Sequence, residues 1–150
     1  MTNFLELLEQ QRSVLLKKTE HLTMDQFNLV PPGFNNNIIW NMGHALIVSE
    51  SFLYSHTAFE VPLHEFDIEG FKRGTKPELA INDYTILLIR KALSDTVPLF
   101  KKSFDDFLSA NVQDPQDSTD SSVVSEKSLR FILFHEDMHF AKIQRLLLYV

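Results

Sequence analysis

Residues Leu129 to Val150 read LRFILFHEDMHFAKIQRLLLYV, the most continuous apolar run of the chain. In its middle stand His135-Glu136-Asp137-Met138-His139. On a helix of about 3.6 residues per turn, positions i and i+4 share a face. Two imidazoles so placed can hold one metal ion. The same five residues spell H-E-x-x-H, the zinc-protease helix. With Ser125 and Glu126 at its start, the run predicts a helix from about 125 to 148, an acidic residue in the first turn suiting the helix dipole.

Outward from this segment, 111–122 is polar and turn-rich. Its D-x-x-D-x-x-D spacing and lack of glycine do not fit a calcium loop. Residues 83–110 read as a helix capped by Asn82 or Asp83, with a kink expected at Pro98, which lacks a backbone donor. Residues 58–81 hold Pro62, Gly70, Gly74 and Pro77 among the aromatics Phe59, Phe66 and Phe71. So long a connection reads as a lid or a crossover strap, packed down by its aromatics.

Asn35-Asn36-Asn37 is rich in capping side chains and predicts a helix over 37–57. Trp40, His44, Ile47, Val48 and Ser51 share one of its faces, which turns His44 toward the core. Gly43 weakens this helix on propensity; close approach of another helix is the expected gain. A first helix is expected over 4–22, with Asn3 and Glu6 as a capping box. Thr23-x-x-Gln26 predicts a short helical turn, ended by Pro31-Pro32-Gly33.

The 150 residues suit one domain with a real core. Scarce glycine, 4 in all, and long periodic segments favour helices. The expected architecture is an all-α four-helix bundle spanning 1–150. Its long connection between the second and third helices allows an up-down-down-up order. A formal charge of −6 argues against nucleic acid as a partner. No stretch has the length and apolarity of a membrane span or the form of a signal peptide, so the expected location is cytoplasmic. With no cysteine, a metal site must use histidine and carboxylates.

Six histidines are present. His21, His56 and His64 read as surface residues, the first two at helix C-termini where a cation suits the dipole. His44, His135 and His139 fall on apolar faces, where ionisable groups need partners. Spacing leaves both a metal site and a hydrogen-bonded core cluster open. A zinc-protease helix takes its third ligand downstream, yet none of the eleven residues after His139 is His, Asp or Glu. The third ligand is therefore sought upstream, and His44 is the best candidate. Three histidines leave a fourth position open, as in catalytic zinc sites. Glu136 reads as an exposed, non-catalytic residue. Glu50 and Ser51 are candidates for supporting the ligands, and Trp40 for the wall of the site.

Asn37-x-x-Trp40-x-x-Gly43-His44, followed by His135-x-x-x-His139, resembles the DinB/YfiT-like superfamily over nearly the whole chain. The resemblance implies a four-helix bundle whose metal ligands are His44, His135 and His139. It also implies a divalent metal, zinc or nickel, and a homodimer. Relatives include metal-dependent hydrolases and thiol transferases that use low-molecular-weight thiols. Here Lys142 stands where relatives often have Gln, which leaves the substrate class open. The leading expectation is a metal-dependent transferase or hydrolase acting on a small molecule. The alternatives are a non-enzymatic, dimeric metal-binding bundle with a stress-related role and, third, a metalloprotease.

Overall fold

The computed structural model describes residues 2–55, 57–110 and 124–150. His56 and the polar stretch 111–122, read above as surface and loop, lie outside them. The described residues contain helices and no strand: α1 (Thr2–Lys18), α2 (Met24–Asn28), α3 (Ile38–Tyr54), α4 (Asp83–Ala110) and α5 (Glu126–Leu146). Short 3-10 turns occur at Glu69–Phe71 and Leu147–Tyr149.

Helix starts follow the capping residues. Thr23 and Gln26 form the reciprocal capping box of α2. Asn37 accepts the Trp40 N–H at 2.9 Å, Asn82 accepts that of Thr85 at 2.8 Å, and Ser125 accepts that of Ser128 at 3.1 Å. Each satisfies a backbone donor that the first turn leaves free. Three boundaries differ from the sequence reading. Asn3 and Glu6 lie inside α1, so they form no box at its start. α1 ends at Lys18 rather than residue 22, and α3 ends at Tyr54 rather than 57. Helix ends depend on local hydrogen bonds that apolar spacing does not register. Beyond Lys18, for instance, the Thr19 hydroxyl donates back to the Leu15 carbonyl at 3.0 Å.

Each of the four long helices packs on two others: α1 on α4 and α5, α3 on α4 and α5. Partners between α3 and α5 run in opposite order, Asn41 with His139 and Phe52 with Phe131. Partners between α3 and α4 run in the same order, Glu50 with Thr96 and Tyr54 with Phe100.

The apolar core comes in two parts. One gathers Ile38, Met42, Leu46, Ile89, Leu93 and Ile143; the other gathers Leu5, Leu8, Leu53, Val97, Phe100 and Ile132. Polar residues are buried with them: Arg12 from α1, Ser49 and Glu50 from α3, Thr96 from α4, Glu136 from α5. All are satisfied. Arg12 grips Glu136 with Nε at 3.1 and 3.2 Å and with Nη2 at 2.6 Å, and its Nη1 donates to the Leu93 carbonyl at 3.2 Å. Ser49 also donates to Glu136.

The connection packs down on α3, as its aromatics suggested. Phe71 is buried, and His64 stacks on Phe66 with centroids 4.7 Å apart. This corrects the surface reading of His64. Its side chain is only 9% exposed, and Nε2 lies 2.6 Å from the buried Glu50 carboxylate. His21 is exposed, as expected.

Candidate metal centre

α3 contributes His44 and α5 contributes His135 and His139. One ring nitrogen of each lies within 4.8 Å of the other two. Ring centroids are 4.8 Å apart for His44 and His139, 5.2 Å for His44 and His135, and 4.6 Å for His135 and His139. The i, i+4 spacing on α5 aligns two of the rings, and the α3–α5 packing delivers the third.

Hydrogen bonds define how two of these rings are protonated. Nδ1 of His44 lies 2.6 Å from the Phe71 carbonyl, which can only accept. That nitrogen therefore carries the hydrogen, and Nε2 keeps its lone pair. Nδ1 of His139 lies 2.8 Å from Asn41 Oδ1. The Asn41 amide donates to the Asn37 carbonyl at 2.7 Å and to Asn36 Oδ1 at 3.0 Å, so its oxygen faces the imidazole. His139 is thus also held with Nε2 free. Support of this kind orients metal-binding histidines and sets their tautomer. Nδ1 of His135 is buried with no hydrogen-bond partner. An orphaned buried nitrogen costs free energy, and a cation held by that nitrogen would offset it. The residues fit a divalent ion.

The rings are also held neutral. Burial lowers all three below the usual 6.5, and the Lys142 ammonium adds to the effect. His139, 3% exposed, is pushed down to about 3, chiefly by burial and then by the charges of His135, His44 and Lys142. Lys142 itself is exposed. A lowered folded pKa means that the unfolded chain protonates first. The stability these rings contribute is whole above about 6.5 and is lost as pH falls toward their folded values. The urea midpoint of metal-free protein should therefore drop between pH 7.5 and 5.5, and drop less in His139→Gln. A flat wild-type midpoint over that window would contradict this.

Trp40 stacks on His44, centroids 4.8 Å apart and planes within 8°. Its Nε1 donates to the Gly70 carbonyl at 3.0 Å and to Thr75 Oγ1 at 3.1 Å, which ties the wall of the site to the connection. Phe131 stacks on His135 at 5.5 Å.

Gly43 has a different reason from the one its sequence suggested. Its neighbour is no helix but the ring of Phe71. A Cβ at residue 43 would stand 2.6 Å from Cε1 and 2.8 Å from Cγ of that ring. Gly43→Ala would gain about 1 kcal/mol of helix propensity against about 1–3 kcal/mol of overpacking. Because the Phe71 carbonyl holds His44, metal affinity should fall by about 10-fold or more, while the net loss of stability stays within about 2 kcal/mol. Chelator competition on the variant measures the first and calorimetry the second.

Glu136 is not exposed. It is 5% accessible, and its carboxylate is engaged by Arg12 and Ser49. The roughly 100° step from His135 turns it into the bundle, away from the role the protease helix gives this residue. Glu50 is buried but bonds His64 and Thr96, not the three rings. Ser51 is exposed. Arg12, Asn41, Ser49 and Phe71 were missed as site residues. For Arg12 a signal was present: Leu5, Leu8, Arg12, Leu15 and Thr19 keep helical core spacing, so Arg12 occupies an inward position.

A cavity of about 930 Å3 lies under the connection, bounded by Trp40, Phe66 and Phe71, with none of the three histidines in its wall. A cavity of about 320 Å3 lies further along α3.

Fold and cluster define a class: an all-α bundle with three histidines gathered from two facing helices. The chain belongs to the DinB superfamily, whose family model matches residues 7–143. No curated protein and no solved structure matches it. Membership and the cluster are together compatible with a metal-binding helical protein. Among the described residues no helix is long and apolar enough to cross a membrane.

Proposed function

We propose that His44, His135 and His139 bind one divalent cation, zinc or nickel, and that the protein is a metal-dependent transferase or hydrolase acting on a small molecule. A low-molecular-weight thiol is the favoured substrate. The observation that carries this reading is the protonation pattern. Two of three clustered imidazoles commit Nδ1–H to an oxygen and keep Nε2 free, and the third has an orphaned nitrogen.

A bound divalent cation acidifies a coordinated water or thiol and so supplies a nucleophile near neutral pH. The chain's own residues do the rest. Phe71 and Asn41 orient the rings, Trp40 covers His44, and burial keeps the imidazoles unprotonated. Since the chain has no cysteine, a thiol must come from the substrate. The engagement of Glu136 with Arg12 disfavours the protease reading, which needs that carboxylate as a base.

Untagged protein should retain one zinc or nickel ion per chain by elemental analysis. Metal-loaded protein should then transfer thiols from a panel to soluble electrophiles, or hydrolyse small esters or amides. His44→Ala should lose both metal and activity. Full metal in that variant would remove His44 from the ligand set. Turnover that survives metal removal would refute the metal-dependent reading.

A further inference from the structure

The cavity of about 320 Å3 is not lined by the three clustered histidines, but on both of its walls it is lined by residues close in sequence to those that form or hold the cluster. On α3 it is lined by Ile47 and Val48, one turn beyond His44 on the same face. On the connection it is lined by Lys72 and Arg73, which directly follow the Phe71 whose carbonyl holds His44. Its volume lies at the low end of the roughly 300–1,000 Å3 typical of small-molecule sites. That suits a short chain or a single ring.

The chemistry of the cleft is two-ended. Ile47, Val48 and Phe52 face Val61, Pro62 and Ile68 across it, an apolar trough. Arg73 and Lys72 supply cations. Arg73 has no acidic partner among the described residues, whereas Lys72 has the exposed Glu69 at 2.5 Å. The one carboxylate in the lining, Glu50, is 2% exposed and has both oxygens engaged, by His64 and Thr96. In a chain of net charge −6, the uncommitted charge at this cleft is positive.

We propose that this cleft seats the organic substrate of the histidine centre and that the substrate is a small amphipathic anion. Its apolar body lies between Ile47, Val48 and Phe52 on α3 and Val61, Pro62 and Ile68 on the connection. Its carboxylate, sulfonate or phosphate lies on Arg73 and Lys72. As a statement about substrate it rests on the metal-centre reading; as a statement about binding it can be tested separately.

The test uses three eight-carbon probes, octanoate, octanol and octylamine, titrated calorimetrically into the full chain with and without zinc. Octanoate should bind at least tenfold more tightly than octanol, and octylamine most weakly. Arg73→Glu should weaken octanoate tenfold or more and strengthen octylamine, with zinc content unchanged. Arg73→Gln should remove the preference for octanoate. Val61→Asp, on an exposed part of the trough, should weaken octanoate and octanol. Equal binding of the three probes, or a ranking that Arg73→Glu leaves intact, would overturn the proposal. So would octanoate binding that vanishes with zinc removal, since the carboxylate would then sit on the metal. A preserved ranking in protein that takes up neither zinc nor nickel when either is supplied would leave the cleft standing and sink the metal centre instead. One zinc per chain with no ranking would do the reverse.

Discussion

Arg12→Ala is expected to destabilise the fold by about 3–5 kcal/mol, the usual effect of stripping one partner from a buried ion pair. Arg12 is 2% exposed and Glu136 5%. The substitution leaves the Glu136 carboxylate with only Ser49 and frees the Leu93 carbonyl from its side-chain donor. Small domains are stable by only about 5–15 kcal/mol, so the urea midpoint should fall by about a fifth or more. The cause lies in the orphaned charge rather than in the lost attraction. Arg12→Met combined with Glu136→Leu should therefore recover most of the loss, because well-packed apolar residues often replace such a pair at little cost. If the double variant is as unstable as Arg12→Ala, the shape of this layer matters more than its charge.

The second large effect concerns the proposed ion. His139 is the most buried of the three rings, at 3%, and is held by an Asn41 amide that is itself held at both hydrogens. Loss of a supporting partner typically weakens metal affinity about 10–100-fold. Asn41→Ala should fall in that range, and His139→Ala beyond it. Chelator competition followed by elemental analysis ranks the variants. Wild-type affinity in His139→Ala would end the three-histidine assignment; an unchanged affinity in Asn41→Ala would show that the ring needs no support. Circular dichroism of both variants separates metal loss from unfolding.

Much of this was legible along the chain because it is local. Apolar spacing announced the long helices; Asn37 and Ser125 announced where two of them begin, and Thr23 where the short α2 begins. His135 and His139 are four apart on one helix, so their shared face follows from the helical period alone. His44 needed more, namely an apolar face on another helix and no ligand-type residue after His139. The Asn37, Trp40, Gly43 and His44 pattern now has a physical reason at each position: a cap, a stacked wall, clearance for Phe71, and an imidazole.

What misled was the use of average behaviour for single residues. Glutamate is usually exposed, yet Glu136 is buried because Arg12, 124 positions away, meets it. A histidine in a long connection is usually solvated, yet His64 is buried because the connection folds onto Glu50. Gly43 invited another helix as its neighbour, and an aromatic ring from that same connection arrived instead.

The sequence by itself determined the long helices, the caps at Thr23, Asn37 and Ser125, and the pairing of His135 with His139, since periodicity and capping act within a few residues of backbone. Tertiary structure alone decided that Phe71 and Asn41 set two of the tautomers and that Glu136 is committed to Arg12, and it carried His44, already the best candidate in the sequence, onto that pair. Those contacts join segments far apart in the chain. Their energies depend on burial and on hydrogen-bond geometry, which exist only once the helices have packed.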